Sequence, residues 1–282
     1  MATIDYSYDL AVAWRIYPGI SKTPIVHSDN KLKLVETSLL SFLACVENLK
    51  VAYHFLLDGC PDDYVILINK LFKDHQFKIQ TFNKIGNAAT FGKQIEILLH
   101  QNDSELIYFA EDDYLYRPES FTGALNMMKR SDVDFVTCYT HQDVFSHPIH
   151  DHERSTKLVN DDLWMTVNST CLTFLTSKST LRATKNVFNK YVYDNIYDCS
   201  MWLILTKEHL FNWPSWRRFN SDPMCKAIIR KGMKKGFISY FKLRKYKLWM
   251  PMIAIGTHLE QGLESPFVDW QTIAKKIDAD EN

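Results

Sequence analysis

The chain lacks long apolar runs and any excess of charge. Its 282 residues contain no uninterrupted apolar run near the ~18 residues that a transmembrane helix needs, so no membrane span is predicted. Basic and acidic residues number 33 each, and a chain without a net field gives no reason to expect nucleic acid as a partner. The opening residues, MATIDYSYDL, have neither the basic nor the apolar region of a secretory signal, so we expect none.

Paired cysteines are missing as well. The six cysteines are scattered and form no Cys-x-x-Cys pair, so neither a disulfide framework nor a zinc site is expected. Several lie within apolar runs, where cysteine behaves as a small buried hydrophobe. Together with the missing signal, this pattern predicts a cytoplasmic protein.

What remains is an ordinary globular composition, with 46% hydrophobic and 23% charged residues. In the first 140 residues, short apolar strands alternate with amphipathic helices. The predicted strands are Asp9–Tyr17, Lys50–Leu57, Phe77–Phe82, Glu105–Ala110 and Val133–Tyr139, and the predicted helices are Lys31–Asn48, Pro61–Lys73, Ala88–His100 and Pro118–Arg130. This alternation predicts a mostly parallel sheet with helices on both faces, which binds ligands at the carboxyl ends of its strands.

The second half of the chain is less regular. Residues 141–162 are polar and rich in histidine and are predicted to form a long loop whose histidine spacing fits no standard zinc pattern. Beyond it we predict strands and helices in the order Trp164–Leu175 (strand), Ser177–Tyr191 and Tyr197–Leu210 (helices) and Trp249–Ile255 (strand).

Three consecutive acidic residues, Glu111, Asp112 and Asp113, directly follow the apolar strand LIYFA. Adjacent carboxylates repel one another, and a bound cation would relieve that repulsion. Hard oxygen ligands suit Mg²⁺ or Mn²⁺ and leave coordination positions for diphosphate oxygens. The simpler alternative is a solvated turn or a helix start that favours acids.

The stretch YFAEDDYLYRPESF, from Tyr108 to Phe121, resembles the DxD region of glycosyltransferases with the GT-A fold, in the Glu-Asp-Asp form and close to the Asp-Asp form of family 2. The resemblance implies a Rossmann-like α/β domain that binds a nucleotide-sugar through a divalent cation, Mn²⁺ or Mg²⁺. It also implies that Asp113 is the metal ligand, with Glu111 and Asp112 directed toward the sugar and the ribose.

Three further positions match that family in the expected order. Asp58, in the stretch LLDGC, stands where the family has a nucleoside-binding Asp, although Cys60 replaces the usual Ser. Asn87, in IGNAATFG, opens a helix near the expected nucleotide, and Arg15 ends the first strand at the place of a polar nucleotide contact. UDP is the expected nucleotide only because it is the commonest donor nucleotide.

Two later residues complete the expected site. The stretch YDCSMWL resembles the helix that carries the catalytic base of inverting members, which makes Asp198 the candidate base and Asp194 the alternative. The usual Glu is Tyr197 here, and a later Arg is absent. His258 follows the apolar stretch MPMIAIGT and resembles a late metal ligand of these enzymes, although a lone histidine is often structural.

On this interpretation, residues 1–140 form the nucleotide-sugar-binding half of one domain, residues 141–270 form the acceptor-binding and catalytic half, and residues 271–282 form a disordered tail. No acidic residue occurs from Pro223 to Leu259, and nine basic residues lie between Lys226 and Lys247. That basic segment is interpreted first as a surface for anionic membrane, and otherwise as a cover for the donor diphosphate or a solvated face.

The predicted function is glycosyl transfer from a nucleotide-sugar to a glycan or lipid-linked acceptor, metal-dependent and inverting. One alternative is a sugar-phosphate nucleotidyltransferase, although Tyr17-Pro18-Gly19-Ile20 is not the glycine-rich loop that such enzymes carry after the first strand. A second alternative is a non-catalytic carbohydrate-binding or nucleotide-binding protein with the same fold. No nucleic acid is expected.

Overall fold

The computed structural model of the chain describes residues 6–20 and 23–280. Its strands are β1 (Leu10–Ile16), β2 (Val51–Asp58), β3 (Gln76–Phe82), β4 (Leu106–Glu111), β5 (Tyr114–Tyr116), β6 (Phe135–Val136), β7 (Thr156–Val159), β8 (Asp162–Val167), β9 (Phe174–Ser177), β10 (Leu248–Pro251) and β11 (Gly256–His258). Nine of them form one sheet in the order β3-β2-β1-β4-β9-β6-β10-β8-β7. Strands β9 and β8 run against the other seven, so the prediction of a mostly parallel α/β sheet is confirmed.

The helices cover both faces of this sheet. They are α1 (Lys31–Cys45), α2 (Asp62–Leu71), α3 (Asn87–His100), α4 (Phe121–Met128), α5 (Asp143–Ser146), α6 (Lys178–Asp194), α7 (Asp198–Thr206), α8 (Trp213–Phe219), α9 (Pro223–Lys242) and α10 (Trp270–Asp280), with a 3₁₀ turn at Pro148–His150. None of the helices in the described part of the chain is long and apolar enough to cross a lipid bilayer.

Strand β1 shows why two layers of helices form. Its side chains alternate between the two faces of the sheet, and all seven residues are buried. Val12 and Trp14 pack into a core with α1, α2 and α4, whereas Ala11 and Ala13 pack into a second core with α3, α6 and α7. A strand that is apolar on both faces is stable only between two such layers.

The second half departs from the predicted elements in three places. The strand predicted over Trp164–Leu175 is two strands, β8 and β9, because residues 168–173 leave the sheet. The loop predicted over residues 141–162 contains α5, the 3₁₀ turn and β7. The tail predicted to be disordered over residues 271–282 is helical through Asp280, because Trp270 and Ala274 are buried in a small third core; residues 281 and 282 lie outside the described chain.

Strands β5 and β11 form a separate two-stranded sheet next to the end of β4. Strand β4 ends at Glu111, and the chain then enters β5, which pairs antiparallel with β11. In this register Tyr114 lies opposite His258. Gly256 is required at the start of β11, since a Cβ there would lie 2.9 Å from the Tyr116 ring. The pairing carries the end of the chain to the acidic segment that follows β4.

Candidate active site

The main cleft opens at the carboxyl ends of the first strands, where the sheet order reverses between β1 and β4. Such a switch point leaves a crevice between the loops that follow the two strands. The cleft has a volume of about 480 Å³. Every residue expected to contact the donor lines this cleft, namely Arg15, Asp58, Asn87, Glu111, Asp112 and Asp113. Lys31 and Lys84, which were not predicted, line it as well.

Arg15 joins the loops on both sides of the switch point. Its guanidinium donates through Nη2 to Glu111 Oε1 at 2.5 Å and through Nη1 to the Asn87 carbonyl oxygen at 2.9 Å and to the Asn87 side chain. The second oxygen of Glu111 accepts from Thr173 Oγ1 at 2.7 Å. Arg15 is only 7% exposed, so this ion pair lies at the buried floor of the cleft and joins the ends of β1 and β4 to the start of α3.

Asp58 shapes the opposite wall through the backbone. Its two carboxylate oxygens accept from the N–H groups of Ile85 and Gly86, each at 2.8 Å. Gly86 has φ of 89°, a conformation that favours glycine, and it directly precedes α3. Asp58 therefore fixes the loop from which Asn87 begins the helix, so its role here is to position a wall of the cleft.

Both carboxylate oxygens of Asp112 also accept hydrogen bonds from protein groups. It accepts from Lys31 Nζ at 2.8 Å and from the Tyr17 backbone N–H at 2.7 Å. Burial raises the pKa of Asp112 to about 6, against the lowering effect of the Lys31 charge. Lys31 is itself buried, so the pair orders the loop after β1 against the acidic segment.

Asp113 and His258 lie side by side, far apart though they are in sequence. His258 Nε2 is 3.2 Å from Asp113 Oδ2, and Leu259 N donates to the Asp113 carbonyl oxygen at 2.7 Å. Burial alone would raise the pKa of Asp113, but the hydrogen bond from His258 lowers it. Burial alone would lower the pKa of His258, but Asp113 raises it.

This pair fits a divalent cation. Asp113 Oδ1 and His258 Nδ1 are both buried and, within the described chain, have no hydrogen-bond partner. A carboxylate oxygen and an imidazole are competent ligands of Mn²⁺. Both oxygens of Glu111 and of Asp112 are already bonded to protein groups, so Asp113 is the member of the acidic triplet with a ligand atom to offer.

Asp198 lies in a second cavity of about 260 Å³, at the N-terminus of α7. Residues of the histidine-rich loop, among them His141 and His150, line the same cavity. Burial raises the pKa of Asp198, and the negative charge of Glu111 raises it further. Glu111 lines the main cleft and Asp198 lines the second cavity, so the two sites interact electrostatically.

Asp194 does not share this position. Its Oδ1 accepts from Lys235 Nζ at 3.0 Å, in an ion pair between α6 and α9 that lines neither cavity. Of these two candidates, Asp198 is therefore the one that lines a cavity, and Asp143 of α5 lines the same cavity.

The basic segment Lys226–Lys247 forms most of α9 and the turn after it. In the described chain no residue of the segment lines the main cleft, so the alternative that it covers the donor diphosphate is wrong. Part of its charge is paired: Arg244 with Asp134, and Lys245 with Glu208. The cations near a bound diphosphate would instead be Arg15, Lys31 and Lys84.

Lys31, Lys84 and Thr173 are the site residues that the sequence did not indicate. Lys31 lies in a helix start typical of solvated lysines, and its partner Asp112 is 81 residues away. Thr173 follows an irregular turn in the second half. No local pattern predicts either contact, because both depend on how distant loops meet.

No protein-family model matches the chain, and no curated protein matches it either. Similar solved structures include the galactosyltransferase LgtC with donor and acceptor sugar analogs, at a TM-score of 0.47 and 11% identity over 95% of this chain and 94% of that one. S. aureus TarS 1-349 gives 0.45 at 11% identity over 86% of this chain, which spans 59% of that chain. The inositol-1-phosphate CTP transferase of T. maritima gives 0.42 at 12% identity over 96% and 97%. Likenesses this distant do not distinguish glycosyl from nucleotidyl transfer, so function must be inferred from the site itself.

Proposed function

We propose that the protein is a metal-dependent glycosyltransferase of the GT-A type that transfers a sugar from a nucleoside-diphosphate sugar to a hydroxyl of a glycan or lipid-linked acceptor. The observation that carries the proposal is the contact of His258 with Asp113, which lines the main cleft together with Arg15, Lys31 and Lys84, and the presence of a second cavity that contains Asp198. Such an arrangement suits a polyanionic donor on one side and a neutral acceptor on the other.

In this proposal the nucleoside lies against the wall that Asp58 and Asn87 build, and the diphosphate lies toward Asp113. A divalent cation, Mn²⁺ or Mg²⁺, held by Asp113 and His258 would neutralise charge on the departing diphosphate. Arg15 and the cleft lysines add fixed positive charge where negative charge develops. UDP is the nucleotide we favour.

The chemistry assigned to Asp198 is that of a general base. An acceptor hydroxyl in the second cavity gives its proton to the Asp198 carboxylate while its oxygen bonds to the sugar C1 atom. The bond from C1 to the diphosphate oxygen breaks, and the nucleoside diphosphate leaves. Direct displacement of this kind inverts the configuration at C1, and the burial that raises the pKa of Asp198 makes it a stronger base than an exposed Asp.

Product analysis tests the proposal. The purified chain is incubated with UDP-, GDP-, CDP- and dTDP-sugars, with Mn²⁺ or with a chelator, and release of nucleoside diphosphate is measured. We expect release from one donor class, only with metal, and its loss in Asp113→Ala. Absence of release from every donor, under conditions where the wild type also fails to bind nucleotides, would contradict it.

The competing function, nucleotidyl transfer to a sugar phosphate, predicts a different product. It consumes a nucleoside triphosphate and releases pyrophosphate, so the same assay with triphosphates and sugar 1-phosphates distinguishes the two. Gly19 is the single glycine after β1 that lines the cleft, which does not make the glycine-rich loop expected of that class. Nucleotide binding without release of either product would favour the non-catalytic alternative.

We also propose that the protein acts at the anionic, cytoplasmic face of a membrane through the basic segment Lys226–Lys247, most of which lies on α9. On one side of α9, Phe237, Ile238 and Phe241 are each at least 55% exposed. In the described chain, Lys226, Arg230, Lys234 and Lys242 form no ion pair. Exposed aromatic side chains beside unpaired cations are typical of helices that lie in a lipid interface.

Vesicle sedimentation tests this surface. We expect binding to vesicles with anionic lipid and little binding to neutral ones. We expect Lys234→Gln combined with Lys242→Gln to weaken that binding by about 30-fold, since each cation contributes about 1 kcal/mol. Lys245→Gln, whose lysine pairs with Glu208, is the matched control and should change binding little. Equal binding to neutral vesicles would contradict the electrostatic part of the proposal.

A further inference from the structure

Three side chains with metal-binding atoms meet at the edge of the second cavity, away from the main cleft. The ligand atoms of His147, Asp222 and Cys225 all lie within 4.8 Å of one another. Among the described residues, this is the one group of three or more His, Cys, Asp and Glu side chains that meets so closely. We propose that these residues form a zinc site that joins the histidine-rich loop to the start of α9.

The local structure explains why the three residues meet. Asp222 is the N-cap of α9, and its Oδ1 accepts from the backbone N–H groups of Met224 and Cys225 at 2.9 and 3.0 Å. That cap holds the carboxylate over the first helical turn, next to the Cys225 side chain. His147 lies between α5 and the 3₁₀ turn, and its ring meets the pair from the histidine-rich loop. The distance in sequence between His147 and Asp222 hides the site from any spacing pattern.

The set of ligand atoms suits Zn²⁺. Zinc in proteins takes sulfur, imidazole nitrogen and carboxylate oxygen in tetrahedral sites. A thiolate and a carboxylate carry two negative charges, which one Zn²⁺ balances, and the imidazole is neutral. His147 and Cys225 both line the second cavity, so the fourth position is left to water or to a group bound in that cavity.

Zinc binds cysteine as the thiolate, so the Cys225 thiol must lose its proton when the metal binds. Burial raises the pKa of the Cys225 thiol to about 11, and its hydrogen bond to Asp222 adds to the shift. His147 Nδ1 accepts from the Ile149 backbone N–H at 3.2 Å, so ligation through Nε2 moves the ring proton to Nδ1 and breaks that long contact. Zinc binding therefore releases the thiol proton and fixes the loop that walls the cavity.

Cobalt substitution tests the site in the full chain. The protein is stripped of metal with a chelator and titrated with Co²⁺ in the absence of nucleotide, and then with Zn²⁺. We expect a near-ultraviolet thiolate-to-cobalt absorption band that Zn²⁺ abolishes. The band requires sulfur, so the result does not depend on whether Asp113 and His258 bind a cation, and the proposed transferase activity can fail without affecting it.

Matched variants identify the ligands. Cys225→Ser should remove the band, whereas Cys199→Ser, which alters a cysteine of the same cavity outside the group, should keep it. Asp222→Asn preserves a good helix cap, and it and His147→Gln should lower the affinity for Zn²⁺ by at least about tenfold. A wild type without the band, or a band that survives Cys225→Ser, would overturn the proposal. If Cys225→Ser does not fold, unchanged Zn²⁺ affinity in His147→Gln overturns it alone.

Discussion

The main cleft and the second cavity hold their polar side chains in different ways. In the main cleft, the key side chains come from strand ends and helix starts and are held by charged partners, as Arg15 is by Glu111 and Lys31 by Asp112. In the second cavity, short turns form the wall, and burial lowers the pKa of His141 and lowers that of His150 to about 4. A charged cleft would suit a diphosphate, as we propose, and a loop-built cavity would suit a neutral hydroxyl compound.

The largest expected effect is that of Asp198→Asn, which should separate the functions that we propose for the second cavity and for the main cleft. Asp198→Asn should lower the rate of transfer by about 100-fold to 10,000-fold, the range for loss of a general base. It should leave metal-dependent nucleotide binding unchanged, because Asp198 lines the second cavity and not the main cleft. Steady-state rates, with binding measured in parallel, provide the check.

Asp194→Asn is the control for that variant. It removes a carboxylate four residues earlier whose partner is Lys235, and it should retain near-normal turnover. If Asp194→Asn lost the activity and Asp198→Asn kept it, the assignment of the base would be wrong.

The next largest effect is on the stability of the protein and concerns the ion pair at the floor of the main cleft. Arg15→Ala should lower the free energy of unfolding by about 3 kcal/mol, because it leaves Glu111 without its buried partner. Urea denaturation measures the change. If the free energy of unfolding fell by well under about 1 kcal/mol, the stability of the cleft would not depend on this ion pair.

The pH dependence of turnover sharpens the assignment of Asp198. A base acts only when it is deprotonated, so the rate should fall as pH drops through the pKa of Asp198, about tenfold per pH unit below it. Burial raises that pKa, so the fall should begin at a higher pH than an ordinary Asp would give. The residual activity of Asp198→Asn should lack this acid limb, and an identical limb in the variant would assign it to another group.

The smallest effect concerns an ion pair whose two residues line neither the main cleft nor the second cavity. Lys245 is 57% exposed and pairs with Glu208, so Lys245→Ala should change the free energy of unfolding by less than about 1 kcal/mol. Denaturation under the conditions used for Arg15→Ala provides the comparison. A loss as large as that of Arg15→Ala would contradict the contrast between buried and exposed pairs.

The same contrast explains what the sequence could predict. Arg15, Asp58 and Glu111 end strands whose apolar patterns are clear, and the carboxyl ends of parallel strands share one edge of the sheet. Their presence in one cleft therefore followed from local pattern and fold class. The resemblance to glycosyltransferases added His258, which the β5–β11 register brings beside Asp113.

The rest depended on contacts between distant and irregular segments. The break between β8 and β9, which brings Thr173 to Glu111, follows no periodic pattern. The His147, Asp222 and Cys225 group joins a loop to a helix start, and no motif spacing predicts it. The helical tail was missed because its burial of Trp270 depends on a small core made by three separate segments.

Thermal unfolding with nucleotides tests the central claim, a metal-dependent nucleotide site at Asp113, most directly. The wild type and Asp113→Ala are melted with UDP, GDP, CDP and dTDP, each with and without Mn²⁺. A ligand at 100 times its Kd stabilises the folded state by about 2.7 kcal/mol. The account predicts that one nucleotide, UDP by our proposal, raises the wild-type Tm only with Mn²⁺, and that Asp113→Ala abolishes the rise. No rise with any nucleotide, or a rise that needs neither Mn²⁺ nor Asp113, would contradict it.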